Sequence, residues 1–217
     1  MLTLYYGSGS PYAWRVQLAL EHKALPYDRR VLSFSQGENK RPDFLALNPR
    51  GKVPALVDGD FVLYESAAII EYLDEAYPGQ GQRLFPGDAR RRALQRRVIL
   101  EVNDYFDKAA DPLWTQAFGR KPEERDLAEV AAGRAAARIE LDRIAGAMDG
   151  DFFGGRAPGA ADYSLYTILG FVRRCELKVP EVALADMIGP RYAGWMARIE
   201  ALPFFEACIP PTWKAAS

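Results

Sequence analysis

Two serines stand where a helix is expected to begin, and each offers a hydroxyl to a negatively charged atom. Ser10 follows Gly7-Ser8-Gly9 and precedes Pro11, a residue suited to the first helical position. Ser66 follows Glu65 and precedes an apolar run in which Ile69, Ile70, Leu73 and Tyr77 recur at helical spacing. A serine N-cap presents its hydroxyl and the unpaired backbone N–H groups of the first turn, and the helix dipole favours an anion there. Between the serines, Val53-Pro54 interrupts an apolar run. A proline is permissible at a strand start, and such an X-Pro bond is a candidate for the cis form. Lys40 and Lys52 add positive charge to the same part of the chain. The chemistry these types support is the holding of an anion, with no strong base among them.

The elements that must position these residues are legible in outline. Leu2 to Tyr6 reads as a buried strand and Pro11 to about Lys23 as a helix with Ala13, Val16, Ala19 and Leu20 on one face. Leu25 to Val31 is a second strand and Pro42 to Leu47 a short helix. Ala55 to Val57 and Phe61 to Leu63 form a hairpin about Asp58-Gly59, because glycine tolerates the positive φ that such turns need. Ser66 then caps the following helix. Strand, helix, strand, helix, hairpin, helix is the thioredoxin-like order.

Residues 79–88 are rich in turn formers and read as a linker, after which strand signals nearly vanish. Asp88 caps a helix expected from Ala89 to about Phe118. Leu127, Val130, Ala131, Leu141, Ile144, Ala145 and Met148 mark another, and Asp162–Cys175 and Tyr192–Leu202 two more. Their apolar stripes require bundling. The expected architecture is an α/β thioredoxin-like domain over 1–78, a linker over 79–88 and an all-α bundle over 89–217.

Composition narrows the function. The chain of 217 residues is 49% apolar and carries 28 basic against 29 acidic side chains, so no general attraction to nucleic acid or anionic membrane is implied. Neither a signal peptide nor a spanning segment is read, and a soluble, cytoplasmic protein is expected. Two cysteines, Cys175 and Cys208, and one histidine, His22, suggest neither a disulfide framework nor a metal site.

Ser10-Pro11-Tyr12-Ala13 occupies the place where glutaredoxins hold C-P-Y-C, with both thiols replaced. Dithiol exchange needs an attacking and a resolving sulfur, so the remaining hydroxyl suits stabilisation of another molecule's thiolate. Lowering a thiol pKa of about 8.5 by about two units takes roughly 2.7 kcal/mol. One hydrogen bond to an ionised sulfur supplies about 1.5–3 kcal/mol, and the helix dipole some tenths more.

Together with N-P-R-G-K-V-P-A-L-V-D-G-D-F-V-L-Y-E-S from Asn48 to Ser66, the run G-S-P-Y-A-W-R-V-Q-L-A-L resembles the serine-type glutathione transferases, the tau and zeta groups in particular. The resemblance covers nearly the whole chain. It implies a transferase that conjugates the thiolate of glutathione, its co-substrate, to a small apolar electrophile, with detoxification as the role and a homodimer as the assembly. Ser10 matches the serine that hydrogen-bonds the glutathione sulfur. Val53, before Pro54, matches the residue whose backbone pairs with the cysteinyl part. Glu65 and Ser66 match the pair that holds the γ-glutamyl end, and Lys40 and Lys52 match basic positions near the glycine carboxylate. The zeta signature S-S-C is absent, since Pro11 and Tyr12 stand in its place, which argues against maleylacetoacetate isomerase activity. Gly159-Ala160-Ala161-Asp162 resembles the family's capping box with glycine at the usual Ser or Thr.

Each residue also has a plainer reading. Ser10 is equally a simple N-cap, and Glu65-Ser66 a capping pair; the presence of both pairs at matching positions favours the ligand reading. Tyr6 competes with Ser10, because tyrosine-type members place their hydroxyl at the end of the first strand. Lys40 and Lys52 read as surface lysines, and His22 as a satisfied or solvent-facing residue that aids the end of its helix. Arg90, Arg91, Arg92, Arg96 and Arg97 form a solvated face or a subunit contact with Glu71, Asp74 and Glu75. Tyr12, Tyr105 and Trp114, with Phe118 and Trp213, line an apolar co-substrate cavity or belong to the core. Rival functions are a glutathione-dependent isomerase, dehalogenase or ether-cleaving enzyme, and a non-catalytic adaptor that keeps the fold.

Overall fold

Leu2, Leu4 and Tyr6 are buried in alternation along β1 (Leu2–Tyr6), the strand around which the first half is built in the computed structural model, which describes residues 1–214. The chain then enters α1 (Pro11–His22), β2 (Tyr27–Val31), α2 (Pro42–Leu47), β3 (Ala55–Asp58), β4 (Phe61–Tyr64) and α3 (Ser66–Ala76). β1 pairs in parallel with β2 and antiparallel with β3, and β2 and β4 are the edges, in the order β2-β1-β3-β4. This is the thioredoxin-like arrangement. Two elements differ slightly from expectation. β2 begins at Tyr27 because α1 ends in a left-handed Ala24 (φ 49°), with Leu25 N–H donating back to the Leu20 carbonyl at 3.1 Å. The hairpin turn falls on Gly59-Asp60, with Asp58 opposite Phe61 and Gly59 at φ 61°. The Asp58 carboxylate accepts hydrogen bonds from the Tyr77 and Tyr72 hydroxyls, which ties the hairpin to α3; those bonds, Tyr77 first, hold its carboxyl below the usual range.

Met1–Phe85 and the described residues from Leu202 onward form one compact unit, and Pro86–Ala201 a second. The described end of the chain therefore groups with the α/β half, whereas the sequence places it with the helices. Apolar contact accounts for this: Phe205 and Trp213 lie against the Trp14 ring of α1, with centroids at 6.1 and 4.9 Å.

The second unit is helical. Asp88 caps α4 (Ala89–Glu101) by accepting from Arg91 N–H at 2.9 Å. The helix expected to run unbroken to Phe118 passes instead through a π-helical turn, Val102–Phe106, into α5 (Asp107–Phe118). Pro112 lies inside α5, and Gly133 of α6 (Leu127–Ala145) lets that ring approach; a Cβ at Gly133 would stand 2.9 Å from the proline Cβ. α7 (Ala160–Glu176) is the buried helix of the bundle. Asp162 in its first turn is fully buried and accepts from Gly159 N–H, Phe153 N–H and Trp195 Nε1–H at 2.8–3.0 Å. α8 (Leu184–Glu200) is broken at Gly189 (φ 63°), just before Pro190, so the helix expected from Tyr192 is its second part. Short helices α9 (Phe205–Cys208) and α10 (Pro211–Lys214) follow. No helix among the described residues is long and apolar enough to cross a membrane.

Candidate active site

Ser10 is the N-cap of α1. Its extended backbone (φ −72°, ψ 118°) and Pro11 at the first helical position start the helix, and its Oγ accepts from Ala13 N–H at 3.4 Å. A bond that long leaves the hydroxyl lightly held, and among the described residues its proton is given to no acceptor. Gly9, at φ 89°, supplies the turn that brings Ser10 to this position. Tyr6, the competing hydroxyl, is buried at the end of β1 opposite Val31, within the sheet.

Val53-Pro54 is cis, and Pro54 is buried. The Val53 backbone N–H and C=O, just before β3, make no hydrogen bond among the described residues. Asn48 Nδ2 donates to the Lys52 carbonyl at 2.6 Å, which fixes the approach to this segment. Lys40 is exposed and donates to the Gly51 carbonyl at 3.3 Å, beside Asn39 Nδ2 at 2.8 Å; Lys52 is an exposed side chain.

Ser66 does not cap α3. It is the first helical residue, and Glu65 occupies the cap position with no side-chain bond to the first turn. Glu65 is held at φ 70°, ψ 105°, a conformation that a residue with a Cβ rarely adopts and that costs on the order of 1–3 kcal/mol. The hydroxyl of Ser66 has another partner: Arg15 donates to it from Nε at 2.9 Å and from Nη2 at 2.5 Å. Arg15 is 2% exposed, and its guanidinium lies 4.8 Å from the centre of the Tyr12 ring. Sequence reasoning missed this arginine. Its one visible signal is a lone positive charge between Trp14 and Val16 on a helix that is otherwise mostly apolar.

The remaining aromatic candidates lie in separate settings. Tyr105 sits on the π-helical turn with 60% of its surface exposed. Trp114 is half-buried on α5, its Nε1–H given to Asp111 at 2.9 Å and its ring 5.8 Å from Phe171 of α7. Phe118, 46% exposed, stacks on the same Phe171 at 5.4 Å, and Trp213 packs on Trp14, each within its own unit.

Two expectations about charge are corrected. Asp74 does not belong to an exposed acidic face: it is 1% exposed and accepts from Arg83 Nε at 2.9 Å and from Leu84 N–H at 2.7 Å. Within the second unit Arg91 pairs with Asp149 at 3.0 Å and Arg97 with Glu101 at 3.4 Å, leaving less of the arginine run for an outside partner. His22 is the satisfied rather than the solvent-facing histidine, 8% exposed. Burial pushes its pKa down to about 4, against a contact of 3.3 Å with the Arg83 carbonyl that favours the charged form. Among the described residues no cluster of His, Cys, Asp or Glu could hold a metal ion.

A family model described as glutathione S-transferase, N-terminal domain, matches residues 9–76. Glutathione S-transferase A of Pleuronectes platessa is 30% identical over 216 residues, covering 98% of this chain and 92% of that protein. Glutathione S-transferase 3 of Zea mays is 42% identical over 120 residues, 55% of this chain and 53% of its own length. Among solved structures, a glutathione S-transferase from the Antarctic clam Laternula elliptica superposes with a TM-score of 0.81 at 29% identity, covering 98% of this chain and 94% of that one.

Proposed function

This chain belongs to the glutathione S-transferase family, and we propose that Ser10 is the residue with which it activates glutathione. The observation that carries this reading is the Ser10 hydroxyl at the start of α1, with its proton uncommitted among the described residues. A thiol bound there loses its proton to solvent, and the thiolate accepts a hydrogen bond from Ser10 beside the positive end of the helix dipole. The thiolate then attacks an electrophilic carbon of a small apolar co-substrate. A carbon–sulfur bond forms, and the leaving group departs with the electron pair of the bond that breaks. Positioning and stabilisation of charge supply the catalysis.

The peptide would be held along the segments already described. Val53 offers unpaired backbone groups to the cysteinyl part, next to cis Pro54. Glu65 and Ser66 take the γ-glutamyl end, and Lys40 and Lys52 approach the glycine carboxylate. Tyr12, two residues beyond Ser10, is assigned to the apolar electrophile. A cytoplasmic detoxification role fits that chemistry. Homodimerisation is supported by the exposed edge strand β4, where Phe61 and Val62 are 45% and 37% exposed. Light scattering should then give twice 24.2 kDa.

The test is a spectroscopic titration of the bound thiol. Glutathione bound to the parent protein should form thiolate well below a pH of about 8.5, and Ser10→Ala should move the transition back up without abolishing binding. A bound thiol that titrates as it does in free glutathione would remove Ser10 from the mechanism. An inactive parent that still binds glutathione would favour an adaptor.

A further inference from the structure

We propose that Arg15 is a positioning residue that makes Ser66 an obligate hydrogen-bond donor, so that Glu65 and Ser66 together select a free α-amino acid end. The proposal rests on the reading that this segment holds the γ-glutamyl part of glutathione. A serine hydroxyl carries one proton and two acceptor lone pairs, whereas a guanidinium carries donors only and does not deprotonate in proteins. Arg15 Nε and Nη2 both donate to Ser66 Oγ, so the two lone pairs are filled at every working pH. The single capacity left to Ser66 is its own O–H, and among the described residues no acceptor takes it. A group that meets Ser66 must therefore be an acceptor.

The surroundings agree in sign. Ser66 opens an eleven-residue helix whose cap residue gives no side-chain bond, so the first-turn N–H groups also point at an acceptor. Glu65, one residue earlier, has only acceptor atoms when ionised. Donor and acceptor side by side fit the carboxylate and the ammonium of an α-amino acid zwitterion, in that order. Arg15, five positions beyond Ser10, and Ser66 are both nearly fully buried, at 2% and 3% exposed, and the two bonds that Arg15 gives to Ser66 Oγ are its link to the segment that meets the ligand.

The experiment measures calorimetric affinities of the intact protein for two peptides. One is glutathione; the other is γ-aminobutyryl-cysteinyl-glycine, which lacks the α-carboxylate. The parent should bind glutathione more tightly by about ten-fold or more, the factor carried by one charge-assisted hydrogen bond. Ser66→Ala and Arg15→Met should each remove most of that preference, and the double variant should lose no more than either single one. Affinity for the truncated peptide should hold in all three. Arg15→Lys, with donors but no fork, should restore part of the preference, and it serves for the same cycle if Arg15→Met fails to fold. Losses that multiply in the double variant, or an equal loss for both peptides, would overturn the role of Arg15 while leaving glutathione binding in place. A parent that binds neither peptide would overturn the underlying reading together with the inference.

Discussion

Lys23 Nζ stands 3.7 Å from Asp74 Oδ1, with the two side chains 0% and 2% exposed, so the last turn of α1 and the end of α3 share a buried ion pair. Burial lowers the Lys23 pKa, and the Asp74 charge opposes that shift. Arg83, half-exposed, donates to the other carboxylate oxygen of Asp74 at 2.8–2.9 Å and ties the chain after α3 to the same point.

This arrangement predicts unequal losses. Asp74→Asn leaves a buried ammonium without its counter-charge and should destabilise the protein by about 3–5 kcal/mol. Lys23→Met leaves Asp74 with Arg83 and the Leu84 N–H, and should cost clearly less. Urea unfolding of both variants checks the order; equal losses would mean that Arg83 and the Leu84 N–H do not compensate Asp74 when Lys23 is removed.

The buried ionisable groups predict opposite dependences on pH. His22 has its folded pKa lowered to about 4 by burial, so its stabilising contribution is present above 6.5 and lost as pH falls toward 4. Asp162 has its pKa raised to about 6 by burial, so its contribution is present below 3.8 and lost as pH rises through about 6. Melting temperatures at pH 7, 5.5 and 4.5 separate them. Relative to the parent, His22→Asn should gain stability as the buffer is acidified, and Asp162→Asn should lose it. Two differences of the same sign would contradict the assignment.

Ser10→Ala should lower conjugation of glutathione to an aryl halide at neutral pH by about ten-fold or more, with 1.4 kcal/mol per decade, and the rate should partly recover at higher pH. Tyr6→Phe should change it much less, because Tyr6 is buried within the sheet. A rate that survives Ser10→Ala and collapses in Tyr6→Phe would transfer the role to the tyrosine.

Glu65→Gly should move two measurements in opposite directions. Glycine accepts φ 70° freely, so the thermal stability should rise by about 1 kcal/mol after the entropy of the more flexible unfolded chain is subtracted. Glutathione affinity should fall by about ten-fold with the loss of the carboxylate. Calorimetry and thermal melting on one preparation test both; a loss of stability would show that Glu65 is not strained.

What could be read from the sequence was local. Ser10-Pro11 as a cap with its first helical residue, Asp58-Gly59 beside a turn, and Pro42 opening a short helix are set by neighbours within a few residues. The partner of Ser66 was not legible, because Arg15 is 51 positions away and reaches it only once α1 and α3 lie side by side. Asp74 stands between Glu71 and Glu75, whose charges read together as an outer face; only the fold reveals Lys23 and Arg83 beside it. The grouping of the last helices with the first unit was hidden for the same reason, since Trp14 and Trp213 lie at opposite ends of the chain.

The π-helical turn at Val102–Phe106 holds one residue more than regular winding allows. Each residue of a regular helix turns the chain by about 100°; the wider turn absorbs the surplus residue, so α5 faces as it would on a regular helix one residue shorter. Ala110, Leu113, Gln116 and Ala117 are the buried members of the inward stripe of α5. A one-residue deletion within the turn would restore regular winding and leave that stripe on the bundle, whereas regular winding at the present length would bring the row of Pro112 and Thr115 there instead. The turn thus works as a buffer of length: a relative shorter by a single position here should display the same α5 side chains on an unbroken regular helix.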